Sequence, residues 1–193
     1  MYDLYFQSFN EKVLLTQEEK ELIKNYLTVK KIRKRQYLLQ DGDVCKSVAF
    51  VEKGALRLYH VSEDGTEHIV RFGLEGQFIT DLYSFLTTEP SVYNIDAIED
   101  SELVIITKSA SDELRKLSSK YQEYIFQLTS EAYIQLQRRL TSIISLTLEE
   151  RYKDLTAKYP DIIQRVPQHM IASYMGLTPE TLSRVRKRIS THK

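Results

Sequence analysis

The sequence has a single cysteine, Cys45, and no tryptophan. One thiol forms no disulfide within the chain and supplies no multi-thiolate metal or iron–sulfur site, so a disulfide scaffold is excluded. No apolar run approaches the roughly 18 residues of a membrane span, and Met1 to Asn10 lack the apolar core of a signal segment. A cytosolic chain with no membrane partner is therefore expected. An excess of one charge is missing too, since 27 basic residues face 27 acidic ones. The total says nothing about partners, but its distribution does. From Gln164 onward, Arg165, Arg184, Arg186, Lys187, Arg188 and Lys193 face Glu180 alone, a local charge of +5 that leaves −5 for the rest.

Glycine is scarce and clustered. Five of the six, Gly42, Gly54, Gly65, Gly73 and Gly76, fall in one stretch, and the next is Gly176. Turns therefore crowd the first half and long helices occupy the second. Between the glycines lie short alternating β-branched and aromatic runs, at Ser47–Glu52, Ala55–Val61 and Glu67–Leu74, followed by Val92–Ile98 and Glu102–Thr107. Ser62–Thr66 reads as a hairpin loop, with Gly65 supplying the positive φ. Many short strands closed by glycine turns predict a small barrel or jelly roll.

Capping boxes mark two helix starts, Thr16-Gln-Glu-Glu19 and Thr147-Leu-Glu-Glu150. The first predicts a helix with Leu22, Ile23 and Leu27 on its apolar side, and the second a helix ending before Pro160. Neither proline nor glycine occurs between Ser111 and Leu148, where Tyr121, Ile125, Leu128, Ala132, Leu136 and Leu140 recur at steps of three and four. One long amphipathic helix is predicted, too long for a small barrel to cover and so directed in part at a second copy of itself.

The segment from Gln168 to Lys187 reads as two short helices joined at Gly176. Ala172 allows close crossing, and Ile171, Met175, Leu177, Leu182 and Val185 form the shared seam. Thr178 is a good N-cap and Pro179 sits at the first helical position, where its missing N–H costs nothing. Glu180, Ser183 and Arg184 could then read base edges, while Thr178, Thr181, Arg186, Lys187 and Arg188 hold the DNA backbone.

Barrel, long helix and terminal helix pair, in that order, resemble the cyclic-AMP receptor protein / fumarate-nitrate regulator family of bacterial transcription factors. Gly76-Gln-Phe-Ile-Thr-Asp-Leu-Tyr-Ser-Phe85 is similar to that family's phosphate-binding cassette, and Gly176-Leu-Thr-Pro-Glu-Thr-Leu-Ser-Arg184 to its turn and recognition helix. The resemblance implies an α+β chain. Residues 1–110 would form a cyclic-nucleotide-binding-like jelly-roll sensor, 111–146 a dimerisation helix, and 147–193 a helix-turn-helix domain. It also implies an effector pocket at Thr80, Asp81, Leu82, Ser91 and Val92, with Arg71 as the one candidate to replace the family's phosphate-binding arginine. With Thr80-Asp-Leu82 and Ser91-Val-Tyr93 in place of the nucleotide-binding triplets, a buried phosphate would lack its cation, and no response to cyclic AMP is expected. Pro179 stands where the cyclic-AMP receptor carries an arginine, so the preferred DNA word should differ.

An enzyme reading rests on His60 and His68 flanking the hairpin loop, but a cupin-type metal centre needs further ligands, and His169 and His192 lie far away in the tail. No nucleophile elbow, HExxH or glycine-rich phosphate loop occurs, and no haem ligand stands out. The expectation is a homodimeric DNA-binding regulator with no catalytic residues, metal or cofactor. The alternative is a small-molecule sensor acting mainly through a protein partner such as RNA polymerase. Effector and operator are not legible.

Overall fold

A computed structural model describes residues 2–191. Two helices open the chain, α1 (Asp3–Asn10) and α2 (Gln17–Lys24). The strands follow: β1 (Thr28–Ile32), β2 (Tyr37–Leu39), β3 (Ser47–Lys53), β4 (Leu56–Val61), β5 (Glu67–Gly73) and β6 (Phe78–Ile79). After the short helix α3 (Leu82–Thr87) come β7 (Asn94–Ala97) and β8 (Ser101–Thr107). The chain then turns helical, with α4 (Lys108–Leu117), α5 (Ser119–Ser145), α6 (Leu148–Lys158), α7 (Ile162–Arg165), α8 (Gln168–Met175) and α9 (Pro179–Thr191).

The strands form two antiparallel four-stranded sheets, ordered β1-β8-β3-β6 and β2-β7-β4-β5. Alternation of apolar residues sends one face of each sheet inward, where Val51, Leu56, Ile79, Ile95 and Leu103 fill the jelly roll. Both outer faces are covered as well. The outer face of β3 and β8 packs Phe50, Val104 and Ile106 against α1, α2 and the start of α5, through Phe9, Ile23, Tyr121 and Tyr124. Phe9 stacks on Tyr124 at 3.9 Å between ring centroids. The outer face of β4 and β5 presents Tyr59, Ile69 and Phe72 to the terminal helices, where Ile171, Ala172, Met175, Leu182 and Val185 continue the same core.

The expected single helix from Ser111 is two. Thr107 caps α4, which begins at Lys108 and ends at Leu117; the next residue, Ser118, in extended backbone, accepts the amide of Tyr121 at 3.1 Å through its hydroxyl and starts α5. The boundary expected at residue 110 thus falls inside α4. A second correction concerns the apolar stripe. Tyr121 is fully buried within its own chain, and Ile125 and Leu128 are half-buried against the same core, whereas Leu136 and Leu140 are exposed. The exposed large apolar residues of α5 are Phe126, Tyr133, Ile134, Leu136, Leu140, Ile143 and Ile144.

Candidate nucleic-acid interface

Local chemistry builds the terminal helix pair. Gly176 adopts φ +70° at the end of α8, its amide donates to Ser173 O at 2.9 Å, and the Leu177 amide donates to Ala172 O at 2.9 Å. This double closure satisfies the last carbonyls of α8 and fixes the turn. Thr178 Oγ1 then accepts the Thr181 amide at 3.3 Å, and α9 starts at Pro179. The seam holds the two helices together through Ile171, Ala172, Met175, Leu182 and Val185, all buried.

The opposite side of α9 is open. Glu180, Ser183, Arg184, Lys187 and Arg188 are exposed, whereas Thr181 and Arg186 are half-buried. Arg184 Nη2 donates to Thr181 Oγ1 at 3.2 Å, which steadies the guanidinium over the first turn. The Glu180 carboxyl is held below its ordinary range by its own backbone amide, then by the Thr178 hydroxyl, with Arg184 adding to the effect. The first turn therefore presents a carboxylate acceptor and a forked donor side by side. Arg188 differs from its expected role in one respect: its guanidinium reaches back to Glu149 on α6 at 3.1 Å. His192 and Lys193 lie outside the described residues.

In the β-roll, the predicted pocket residues separate. Asp81 and Ser91 come together, both buried. The Ser91 hydroxyl donates to Asp81 Oδ2 at 2.7 Å, while Asp81 Oδ1 accepts the amides of Tyr83 at 3.1 Å and Ser84 at 3.4 Å as the cap of α3. Both oxygens of this carboxylate are thus engaged by neutral donors inside the chain. Thr80 Oγ1 lies 3.3 Å from Cys45 Sγ and donates to Ser47 O. Leu82 and Val92 instead point outward and are exposed. Arg71 is half-buried on β5, opposite Leu58 at a bulge in the β4–β5 register, and lies near Tyr159 and Tyr174 of the terminal helices. Sequence reasoning missed a cavity of about 430 Å³ beside the cassette, lined by Leu38, Leu39, Cys45, Lys46 and Ile95. Its walls come from β2 and from the loop before β3, which carry no motif.

His60 and His68 are register partners across β4 and β5. His60 Nδ1 lies 3.0 Å from Val92 O, and His68 Nε2 lies 3.2 Å from Ser62 Oγ. Among the described residues, no group of three or more His, Cys, Asp or Glu side chains gathers as a metal site would require. No helix of the described residues is long and apolar enough to cross a membrane.

These features define a cyclic-nucleotide-binding type of jelly roll joined by a long helix to a helix-turn-helix. The cyclic nucleotide-binding domain model matches residues 29–118. Regulatory protein HlyX of Actinobacillus pleuropneumoniae is 26% identical over 183 residues, 89% of this chain and 75% of the relative. Transcriptional activator protein FnrA of Stutzerimonas stutzeri is 26% identical over 165 residues, 80% of this chain and 67% of the relative. In fold, the chain is similar to FixK2 from Bradyrhizobium japonicum, with a TM-score of 0.70 at 19% identity over 86% of this chain and 85% of that one. Residues 29–118 thus carry a cyclic nucleotide-binding domain, and over most of its length the chain is similar to transcription regulators of the cyclic-AMP receptor protein / fumarate-nitrate regulator type. Its relatives are named as regulators rather than enzymes.

Proposed function

We propose that the protein is a cytoplasmic, homodimeric regulator that reads a two-fold palindromic DNA site and does not respond to cyclic AMP. The observation that carries this reading is the recognition helix: a sharply capped α9 whose seam is buried and whose Glu180, Ser183 and Arg184 are exposed together. Arg184 would donate to guanine O6 and N7, Glu180 would accept from cytosine N4, and Ser183 would reach an adjacent base edge. Thr178, Thr181, Arg186 and Lys187 would hold phosphates, with Arg188 joining them if it leaves Glu149. The exposed stripe on α5 supports a dimer, which would set two recognition helices about 34 Å apart. Residues 1–107 would then form the sensor unit, 108–145 the α4–α5 connection to the partner, and 147–191 the DNA-binding unit. Against a nucleotide stands the cassette itself, where Asp81 is spent on Ser91 and on the cap of α3.

Selection of sites from a randomised duplex pool tests the reading. The expected product is a palindrome with half-sites one turn apart, enriched equally with and without cyclic AMP. Arg184→Ala should then relax one base pair per half-site by about 1–3 kcal/mol. Enrichment that appears only with cyclic AMP would overturn the cassette argument, and an unaltered site preference in Arg184→Ala would overturn the base-reading assignment. A second reading, action mainly through a protein partner such as RNA polymerase, draws on Tyr83 and Leu86, exposed apolar residues on one side of α3. In that case Arg184→Ala would leave DNA affinity unchanged.

A further inference from the structure

Away from the recognition helix and the β-roll interior, one concavity gathers an excess of positive charge. A pocket of about 340 Å³ lies between α5, α6 and the end of α8. Arg138 and Arg139 line it from α5, Arg151 and Lys158 from α6, and Asp154 is the one carboxylate among its lining residues. None of the four cations forms an ion pair among the described residues. Their contacts are neutral. Arg139 donates to Val70 O and Tyr174 O and stacks on the Tyr174 ring at 4.2 Å. Arg151 donates to Met175 O at 2.8 Å, and Lys158 to Gln135 Oε1 at 3.3 Å.

A structural duty explains part of this. Arg139 and Arg151 satisfy the last carbonyls of α8, where cations also complement the helix dipole. It does not explain Arg138, which makes no hydrogen bond, or Lys158, which touches no carbonyl of α8. Nor does it explain Arg71, half-buried beside the pocket tyrosines Tyr159 and Tyr174 with no hydrogen bond or ion pair among the described residues. Burial holds the Arg71 guanidinium below its ordinary value, as expected for a cation lacking a counter-charge. Four lining cations outnumber the single carboxylate of Asp154, with Arg71 near the two pocket tyrosines, and a multivalent anion would reduce the remaining repulsion.

We propose that this pocket binds a small diffusible polyphosphate, gripped by Arg138 and Lys158, oriented by the fixed forks of Arg139 and Arg151, and attracted by the field of Arg71. Guanidinium forks match phosphate oxygens in pairs, and three of them, Arg138, Arg139 and Arg151, line the pocket. Bound there, the anion would tie the long helix to α6 and α8 and so set the angle of the reading helix; this consequence rests on the DNA-binding reading above, but the site itself does not.

Calorimetric titration of the full chain with inorganic pyrophosphate at low ionic strength tests the site without DNA. One site per chain is expected, weakened by about tenfold or more in the Arg138→Glu/Lys158→Glu variant. Lys30→Glu/Lys34→Glu, with the same change of net charge on and beside β1, should bind as the parent does, as should Arg184→Ala. A milder pair, Arg138→Ala/Lys158→Gln, guards against misfolding and should show the same direction of change. Absence of binding at millimolar pyrophosphate, or equal weakening in both charge-reversed variants, overturns the proposal. Loss of duplex DNA affinity in Arg138→Glu/Lys158→Glu by a chain that ignores pyrophosphate would assign the pocket to backbone phosphates and overturn it too. Failure of DNA binding with pyrophosphate binding intact would refute the DNA reading and leave the site standing.

Discussion

At the scale of single residues, two glycines show how different physical reasons give different costs. Gly176 has φ +70° and open space where a Cβ would stand, so Gly176→Ala should cost only the left-handed backbone strain, about 1–2 kcal/mol. Gly54 combines φ +105° with a crowded position, since an added Cβ would fall 2.7 Å from Cα of Ser101. Backbone must move there, and Gly54→Ala should lose more stability than Gly176→Ala. Thermal melts of the two variants compare them directly; an equal loss would show that the β-roll yields at Ser101. The same scale separates Asp81 from the role that its place in the cassette suggested. A carboxylate whose oxygens already accept one hydroxyl and two amides keeps a single lone-pair site, on the buried Oδ2, for a ribose hydroxyl.

At the scale of elements, α5 has two faces with different destinations. Tyr121 and Tyr124 are sealed against α1, whereas Phe126, Tyr133 and Leu140 stand seven residues apart and are 72%, 62% and 59% exposed. Leu136 and Ile143 stand three residues beyond Tyr133 and Leu140, at the companion heptad positions. A charge in that stripe should split the proposed dimer without unfolding the chain: Leu140→Glu is expected to weaken association by about 3 kcal/mol or more, roughly two orders of magnitude. Tyr121→Glu should instead unfold it. Sedimentation velocity reads the first and circular dichroism the second, and a Leu140→Glu chain that still sediments as a dimer would refute the seam. The sequence periodicity merged these faces because steps of three and four pass through both. Legibility followed the range of the interactions. The capping boxes at Thr16 and Thr147, the β4–β5 hairpin and the α8–α9 turn are closed by neighbours within a few residues, so their signals are local. By contrast, α1 has no side-chain cap of its own; the carboxylate of Glu52 on β3 accepts the amides of Leu4 at 3.2 Å and Tyr5 at 2.8 Å. No reading of Asp3–Asn10 alone supplies that partner. Strand β1, Thr-Val-Lys-Lys-Ile, is likewise set by its register with β8 rather than by alternation.

At the scale of the whole molecule, the β-roll and the helix pair share one core and one ionic latch. Arg165 of α7 forks onto Glu75 at 2.7 and 2.8 Å and also pairs with Glu99, while Glu75 accepts the amide of Gly54 at 2.8 Å. Beside it, Ser173 of α8 accepts the Ile69 amide at 2.9 Å and donates to Glu67 O at 2.6 Å, closing the free edge of β5. Burial pushes the Glu75 carboxyl up, but Arg165 and the Gly54 amide outweigh it, and the group ends below its ordinary 4.5. The sign follows from linkage: a carboxyl depressed by folding contributes stability that is complete above the unfolded value and fades as pH falls through the folded one. Arg165→Ala should therefore destabilise the chain near neutral pH by about 1–3 kcal/mol, a few degrees in Tm for a chain of this size. That deficit should shrink as the pH drops below 4.5, where the parent loses the same interaction by protonation. Melts of parent and variant across this range decide the matter, since a deficit independent of pH would mean that Arg165 supports the interface by packing alone. If the deficit does titrate, the latch is ionic, and the position of the terminal helices on the β-roll is held by charges at the turns before β6 and β8 as well as by the apolar core.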